Sequence, residues 1–238
     1  MEQVALEATL TNRLAVVHRS IVDCRACPRL VAWRETVARD KVARFLCCDY
    51  WGRPVPGFGD PAARILVVGL APGAHGANRT GRVFTGDRSG DFLYAAMHRA
   101  GLASQPTSTA RDDGLVLTDA YIVTPLRCAP PDNKPQPDEI ARCAHFLDEE
   151  LALLPRVRVV VALGAIAWRA VLDHHARMGG SVPRPRPPFG HGRLLELGPR
   201  WLLGSYHVSQ QNTQTGKLTP GMFDAVLEEA RRLSLTGE

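Results

Sequence analysis

The chain has 238 residues, with 29 Lys plus Arg against 24 Asp plus Glu, and therefore a formal net charge of +5. Its hydrophobic fraction of 45% and charged fraction of 22% are those of a globular protein and exclude an intrinsically disordered chain. The sequence has neither a run of about 18 apolar residues nor the basic flank and cleavage site of a secretory signal. We therefore expect a cytoplasmic protein without membrane contact.

Helical patterns alternate with short apolar runs that are typical of buried parallel strands. The periodicity predicts helices over 10–21, 89–99 and 165–174, and two more that begin at Pro137 and at Pro220. Strands are predicted over 64–70, 119–124, 157–163 and 201–207. This alternation indicates an α/β fold with a four-stranded parallel sheet. We expect one domain over 1–238 with an N-terminal helical and cysteine-containing extension of about residues 1–60.

The irregular segments that follow three of the predicted strands are rich in glycine, proline and polar residues. They cover 69–90, 125–137 and 207–216. In an open parallel sheet, ligands bind outside the carboxyl ends of the strands. The first segment has neither the P-loop pattern nor the dinucleotide-binding glycine pattern. The sequence thus predicts a functional site at this edge of the sheet. This site is neither a P-loop nor a dinucleotide-binding site.

Four residues in these segments have a functional and a structural interpretation. Phe84 is a stacking platform for a planar base or an anchor of its loop on the core. Asp87 is a reactive carboxylate or the cap of the following helix. His207 either contacts the substrate or is a buried histidine that is hydrogen-bonded to the backbone. Asn133 either makes a polar contact with the substrate or is an ordinary turn residue. Their coincidence at one edge favours the functional interpretation.

Long motifs in these segments resemble the uracil-DNA glycosylase superfamily, and specifically its family 5 branch. They are GLAPGAH at 69–75, GRVFTGD at 81–87, RCAPPDNKP at 127–135, YHVSQQNTQTG at 206–216, CRACPRL at 24–30 and PVPGFGD at 54–60. The resemblance implies a three-layer α/β/α sandwich around a four-stranded parallel sheet. It also implies hydrolysis of the N-glycosidic bond of uracil in DNA, which leaves an abasic site after the base is flipped into the pocket.

The same resemblance assigns roles to residues of the three segments. Asp87 activates water or stabilises the oxocarbenium ion, His207 stabilises the departing base, and Asn133 positions water or substrate. Phe84 stacks on the flipped base. The other base-binding residues are Gly69, Leu70, Ala71, Pro72, Gly73 and Ala74. The loop expected to enter the DNA contains Ser209, Gln210, Gln211 and Asn212.

Two positions depart from the pattern of the superfamily. Ala71 stands where most members have Asp or Asn, so the carboxylate must come from elsewhere, and Asp87 is the candidate. Thr124 stands where strict uracil enzymes have an Asn that reads the base. Because a two-point reader of the base is missing, we expect a relaxed specificity that includes hypoxanthine or xanthine.

We do not expect the six cysteines to form a disulfide framework, because no secretory signal accompanies them. From spacing alone, an iron–sulfur cluster and a structural zinc ion are equally compatible with a Cys-x2-Cys pair and two distant cysteines. The resemblance assigns four of them to a structural 4Fe–4S cluster, with zinc as the alternative: Cys24, Cys27, Cys128 and Cys143. Cys143 also fits the apolar face of a helix as a plain core thiol. Cys47 and Cys48 are interpreted as non-ligands.

Two other functional classes remain open from the residues. One is a metal-containing nucleic-acid-binding module without catalysis, and the other is a small-molecule hydrolase on the same scaffold. The glycosylase interpretation implies a monomer that binds DNA containing uracil or other deaminated bases. The proline-rich segment 179–193 then contributes Arg184, Arg186 and Arg193 to phosphate contacts.

Overall fold

The computed structural model describes the backbone of residues 2–235 and the side chains of residues 9–235. Its helices are α1 (Glu2–Val22), α2 (Pro28–Asp40), α3 (Ala77–Thr80), α4 (Arg88–Arg99), α5 (Pro137–Ala152), α6 (Ala165–Arg177), α7 (Gln210–Gln214) and α8 (Pro220–Ser234). Its strands are β1 (Phe58–Gly59), β2 (Ile65–Val68), β3 (Ala120–Val123), β4 (Val159–Leu163), β5 (Leu194–Leu197) and β6 (Arg200–Ser205). Within these ranges, no helix is long and apolar enough to cross a membrane.

One sheet has the strand order β1-β3-β2-β4-β6-β5. The four inner strands are parallel and are the four that the apolar runs predict. The sheet has six strands rather than four, because β1 and β5 add antiparallel edges to β3 and β6. The apolar periodicity of the sequence does not predict the two edge strands, for a physical reason. β1 has two residues, and most of β5 is exposed or half-buried, so neither produces an apolar run.

Helices cover both faces of the sheet, as the alternation of side chains along a strand requires. Ile65 and Val67 of β2 face the core cluster that contains Phe223 of α8. Leu66 and Val68 face the second cluster, which contains Leu147 and Leu151 of α5 and Val171 of α6. The three-layer α/β/α fold is therefore confirmed.

The segment predicted as an N-terminal extension contributes directly to the sheet and its core. Its last residues include β1, and Val55 is fully buried in the cluster with α8. The apolar periodicity does not predict helix α2, although this helix has a proline at its first position. Its buried face contains Arg34 beside apolar residues, and a buried charge conceals an amphipathic pattern.

The strand register brings the ends of the parallel strands level with one another. Val68 of β2 is opposite Val123 of β3 and Ala162 of β4, and Leu163 of β4 is opposite Ser205 of β6. The segments that follow these residues therefore leave the sheet side by side. We call this edge the carboxyl-end rim.

Candidate active site

Asp87 lies at the carboxyl-end rim as the cap of α4, and its carboxylate also contacts residues 69–76 between β2 and α3, which we call the first loop. Its Oδ1 accepts a hydrogen bond from the Gly90 N–H at 3.0 Å. A Cβ atom added at Gly73 would lie 2.9 Å from Asp87 Oδ2, and one added at Gly76 would overlap that oxygen. The two glycines thus permit the close approach of the carboxylate to the backbone of the loop. The structural interpretation of Asp87 as a cap is correct, and it leaves the second oxygen facing the loop.

Burial raises the pKa of the Asp87 carboxyl above its ordinary range. Hydrogen bonds from the backbone of Gly90 and Ser89 and the charge of Arg79 oppose this rise. Asp87 forms no ion pair with any residue that the structure describes. A carboxylate with a raised pKa and no paired cation is suited to accept a proton or to stabilise a developing positive charge.

Phe84 packs against the start of the same loop. A Cβ at Gly69 would lie 2.7 Å from the Phe84 ring and 3.2 Å from the Thr124 methyl group, so only glycine permits this contact. The ring belongs to the core cluster on the α8 side and retains 8% of its exposure. Its φ of 51° lies in the left-handed region, which is unfavourable for an aromatic residue. Phe84 therefore anchors its loop, as the structural interpretation predicts, and still borders the rim.

A buried polar network fixes the strained segment around Phe84. The Arg82 guanidinium donates to Thr85 Oγ1 at 2.9 Å, to Ser108 Oγ at 2.8 Å and to both Asp113 oxygens at 2.8 Å. The hydroxyls of Thr85 and Ser108 are also hydrogen-bonded to each other at 2.7 Å. Strain at a non-glycine residue persists only where surrounding contacts impose it. Here the network imposes it next to the candidate site.

His207 follows β6 and faces Phe84. The ring centroids are 6.2 Å apart, with an angle of 36° between the ring planes. Burial lowers the pKa of His207 to about 4, so the imidazole is neutral at neutral pH. Its ring forms no hydrogen bond with any described residue, whereas its backbone oxygen accepts the Asn212 amide N–H at 2.8 Å. His207 is not the histidine satisfied by backbone that the structural interpretation predicts, because its ring nitrogens are available to a ligand.

The remaining residues of the first loop line the rim. Gly69 and Pro72 are buried, and the others are half-buried: Leu70, Ala71, Gly73 and Ala74. Gly69 continues the sheet by donating its N–H to the Val123 oxygen at 2.8 Å. The loop thus contacts Phe84 at its first residue and Asp87 at its last, so it connects the ring platform to the carboxylate.

The structure shows what surrounds Thr124 and Ala71, the two residues that depart from the superfamily pattern. The Thr124 hydroxyl donates to the Leu126 oxygen at 2.8 Å, and the residue is 1% exposed. Its side chain is therefore committed to the turn after β3 and offers no free donor pair to a base. Ala71 packs against the apolar cluster that contains Cys128 and Cys143. Neither position supplies a polar group to the rim.

Asn133 lies away from these contacts. It is exposed in the 3-10 turn Pro131–Asn133, with a φ of 55°, as expected for a turn residue. Among the described residues, its side chain has no hydrogen bond that brings it to Asp87 or His207. Its role in positioning water or substrate stays a prediction.

The segment expected to enter DNA is a short helix, α7, rather than an irregular loop. Ser209 precedes the helix, and Gln210 and Gln211 are exposed. The Asn212 side chain turns inward to the His207 backbone oxygen. The exposed glutamines are available to DNA, whereas Asn212 holds the turn that carries His207. Insertion of these residues into DNA stays a prediction.

The proline-rich segment 179–193 is less basic at its surface than its sequence suggests. Arg186 forms an ion pair with Asp173, and Arg193 donates to the Pro188 oxygen at 2.9 Å. Arg184 is exposed and has no ion pair among the described residues. Of the three predicted phosphate ligands, only Arg186 is neutralised by an ion pair, and the charges of Arg184 and Arg193 stay available in the described structure.

The four predicted cysteine ligands line one pocket between α2, the segment after β3, and α5. They are Cys24, Cys27, Cys128 and Cys143. Burial raises the pKa of the Cys128 thiol to about 11 and that of Cys143 to about 12. Within residues 9–235, no three His, Cys, Asp or Glu side chains are already gathered as a metal site. Cys47 is exposed, and neither Cys47 nor Cys48 lines this pocket.

Two buried arginines border the cysteine pocket and leave N–H groups without acceptors. Arg34 is 2% exposed, donates to Cys128 Sγ at 2.9 Å and to the Cys24 oxygen at 3.2 Å, and leaves its Nε unpaired. Arg127 pairs with the buried Glu150 and leaves Nε and Nη1 unpaired. Arg34 has no carboxylate partner in the described part of the chain. Because a buried cation requires a counter-charge, the pocket fits an anionic group bound by thiolates.

Sequence reasoning missed the residues that support the site rather than form it. These are the Arg82 network, the two pocket arginines, and His191, whose Nδ1 accepts the Tyr206 N–H at 3.1 Å. A local signal existed for Arg82, which lies between two glycine-rich segments. No local signal exists for the others, because their partners are distant in sequence.

Comparison with known proteins gives a consistent result. The family model of the Uracil DNA glycosylase superfamily matches residues 56–231. A type-5 uracil-DNA glycosylase of Thermus thermophilus is 57% identical over 217 residues, which cover 91% of this chain and 96% of the relative. A type-5 enzyme of Mycobacterium tuberculosis is 54% identical over 213 residues, covering 89% of this chain and 78% of the relative. A type-5 enzyme of Pyrobaculum aerophilum is 45% identical over 210 residues, covering 88% of each chain.

The family match covers the strands, the first loop, Phe84, Asp87 and His207, and the similar relatives extend over most of the remaining chain. The identity of these relatives is far above the level at which only a fold is shared. The chain therefore belongs to the uracil-DNA glycosylase superfamily, a family of hydrolases that act on N-glycosyl bonds.

Proposed function

We propose that the protein removes uracil from DNA by hydrolysing the bond between the base and C1′ of the deoxyribose, as a step of DNA repair. The observation that carries the proposal is the arrangement on the first loop. A ring platform, Phe84, contacts its first residue and faces a neutral imidazole, His207, while a carboxylate, Asp87, contacts its last residues. A planar base, an anionic leaving group and a cationic sugar are the species that these three groups would stabilise.

His207 supports departure of the base. As the C1′–N bond breaks, its electron pair moves to the base and negative charge develops on the carbonyl oxygens of the base. A neutral imidazole N–H directed at such an oxygen stabilises that charge without first losing a proton. The pKa of about 4 keeps His207 in this form at neutral pH, and its ring has no competing partner among the described residues.

Asp87 supports the other half of the reaction. Loss of the base leaves an oxocarbenium-like sugar, and a water oxygen then forms the new bond to C1′. The Asp87 carboxylate stabilises the cation and accepts a proton from that water, and the released base finally takes up one proton. The raised pKa of Asp87 strengthens it as a base at neutral pH.

The decisive experiment is single-turnover release of uracil from a duplex oligonucleotide, detected by alkaline cleavage at the abasic site. We expect cleavage by the wild-type chain and a loss of about 10²–10⁴-fold in Asp87→Asn, because the uncharged amide still caps α4 but neither accepts the proton nor stabilises the cation. Asp91→Asn is the matched control, since Asp91 is an exposed carboxylate in the first turn of the same helix. Wild-type protein that binds the duplex and releases no uracil would support the non-catalytic nucleic-acid-binding module instead.

The range of excised bases extends beyond uracil in this proposal. Thr124 directs its hydroxyl to the Leu126 oxygen, and Ala71 carries no polar group, so neither side chain distinguishes uracil from other deaminated bases. We expect measurable release of hypoxanthine or xanthine from matched duplexes. Rates for both bases at the level of Asp87→Asn would contradict the relaxed specificity.

A 4Fe–4S cluster ligated by Cys24, Cys27, Cys128 and Cys143 completes the proposal. Support comes from the shared pocket of the four thiols and from the unpaired Arg34 beside them, which fits the negative charge of a tetrathiolate cluster. When bound, the cluster would tie α2 to α5 and to the segment after β3, without entering the reaction. Iron and acid-labile sulfide in anaerobically purified protein, with the visible absorption of such clusters, test this. Zinc at one equivalent without iron would favour the alternative.

The proposal also treats the protein as a monomer on DNA, since all three groups of the site belong to one chain. Light scattering of the free protein and of its complex with an abasic duplex tests this stoichiometry. A dimer that dissociates into inactive single chains would contradict it.

A further inference from the structure

Two arginines stack on one aromatic ring beside the first loop. The guanidinium carbon of Arg79 lies 4.0 Å from the centroid of the Phe45 ring, and that of Arg44 lies 4.7 Å from it. We call this group the Arg44–Phe45–Arg79 stack. A ring that carries two guanidinium groups holds two positive charges close together, and the aromatic face offsets part of their repulsion.

Arg79 of the stack is hydrogen-bonded to backbone oxygens on both sides of α3, one of which lies next to Asp87. Arg79 Nε donates to the His75 oxygen at 2.9 Å, and its Nη2 donates to the oxygen of Gly86, the residue before Asp87, at 3.0 Å. The Tyr50 hydroxyl is hydrogen-bonded to His75 Nδ1 at 3.1 Å. The pKa of His75 is lowered by burial first and then by the charges of Arg44 and Arg79, which agrees with their nearness.

The charge of Arg79 acts on the Asp87 carboxylate from a distance, but no acid lies within ion-pair distance of either guanidinium in the described residues. Neither Arg44 nor Arg79 forms an ion pair with an acid in the described part of the chain. Asp40 is paired with Arg39, and Asp49 is exposed and unpaired within the same residues. Arg44 is itself exposed, in the 3-10 turn Ala43–Phe45. Unneutralised guanidinium groups at the surface are the groups that bind phosphate oxygens in nucleic-acid complexes.

We propose that the Arg44–Phe45–Arg79 stack binds the phosphodiester backbone of the DNA strand next to the flipped nucleotide. The inference rests on the proposed function, because a nucleotide whose sugar lies at Asp87 keeps its flanking phosphates at the protein surface beside it. Arg79 is the inner member, fixed by two backbone oxygens, and Arg44 is the outer member, held in orientation by Phe45. Such contacts provide affinity and register and read no sequence.

Arg44→Gln tests the proposal without disturbing the loop, because the exposed Arg44 side chain forms no ion pair in the described chain. Arg156→Gln is the matched control, since Arg156 is exposed before β4, at the opposite edge of the sheet. The measurement is the Kd for an abasic-site duplex at several salt concentrations. We expect Arg44→Gln to raise Kd by about three- to tenfold and to lower the slope of log Kd against log salt by about 0.9, one phosphate contact.

A second variant, Phe45→Leu, removes the ring but keeps both charges, and we expect a smaller rise in Kd with an unchanged salt slope. At subsaturating enzyme, single-turnover uracil release by Arg44→Gln should fall in parallel with the rise in Kd, whereas Arg156→Gln should match the wild type in both measurements. An unchanged Kd and slope in Arg44→Gln would overturn the proposal. Arg44-dependent binding without any uracil release would instead overturn the proposed function and leave the phosphate contact standing.

Discussion

The carboxyl-end rim and the cysteine pocket both contain polar groups that lack a counter-charge or a full set of hydrogen bonds among the described residues, but the missing charge differs between the two regions. At the rim, these groups are Asp87, which accepts a backbone hydrogen bond but has no ion pair among the described residues, and His207, a neutral imidazole whose ring has no hydrogen-bond partner there. In the cysteine pocket, the unpaired groups are guanidinium N–H atoms of Arg34 and Arg127. The segment after β3 connects the two regions, because Thr124 touches the rim and Cys128 lines the pocket.

This difference in charge between the rim and the cysteine pocket indicates two kinds of ligand, one transient and one permanent. A rim whose imidazole stays neutral accommodates charge that develops only during a reaction, so it can remain unpaired in the resting protein. A buried guanidinium without a carboxylate carries a permanent charge and needs a permanent anion. This contrast is the reason why we propose a transient ligand at the rim and a resident anion in the cysteine pocket.

After the loss expected in Asp87→Asn, the largest effect is expected at His207, the second group of the rim, which acts on the leaving group. His207→Leu removes the N–H donor and should slow single-turnover uracil release by about 10²–10³-fold. His207→Gln keeps an N–H donor and should recover part of that loss. His145→Gln, an exposed histidine of α5, serves as the control. A His207→Leu rate equal to that of the wild type would remove the imidazole from the reaction.

Arg34→Met tests the proposed counter-ion in the cysteine pocket. We expect its effect on the stability of the fold to have opposite signs in protein with a bound cluster and in metal-free protein. With an anionic cluster bound, loss of the counter-charge should destabilise the fold by about 3 kcal/mol and lower the iron content. In metal-free protein the same change removes an uncompensated buried charge and should raise Tm. Thermal unfolding of both forms measures this, with the exposed Arg25→Met as control. A change of the same sign in both forms would contradict the role of Arg34 as a counter-ion.

The pH dependence of uracil release tests the charge state at the rim. The raised pKa of Asp87 means that its active carboxylate is protonated as the pH falls, beginning above the ordinary aspartate value of about 3.9. The rate should therefore fall about tenfold per pH unit below that pKa. His207, with a pKa of about 4, stays neutral over most of this range. An acid limb that persists in Asp87→Asn would assign the titration to another group.

The smallest effect concerns His191, which positions the segment before His207. Its ring stacks on Tyr206 at 4.8 Å with an angle of 14°, and its Nδ1 accepts the Tyr206 N–H. His191→Phe keeps the stack and loses the acceptor, so we expect release to slow by about three- to tenfold at unchanged DNA affinity. His191→Asn supplies an acceptor oxygen near the Nδ1 position and should restore most of the rate. Equal losses in both variants would point to packing alone.

Much of the fold was predictable because its signals are local. Apolar runs mark β2, β3, β4 and β6, and parallel strands deliver the segments that follow them to one rim. The candidate site residues Asp87, Phe84 and His207 were identified from their positions in those segments and from the family resemblance. The edge strands and α2 were not, because partial exposure and a buried arginine obscure their periodicity.

By itself, the amino-acid sequence determined the order of strands and helices, the glycines that let Phe84 and Asp87 approach the backbone, and the four cysteines. These depend on neighbours along the chain. Only the tertiary structure decided the neutral, unpaired state of His207, the left-handed backbone of Phe84 and the guanidinium of Arg34 that lacks a counter-ion. Each of these is a property of burial and of partners brought from distant segments, and no local pattern of residues encodes them.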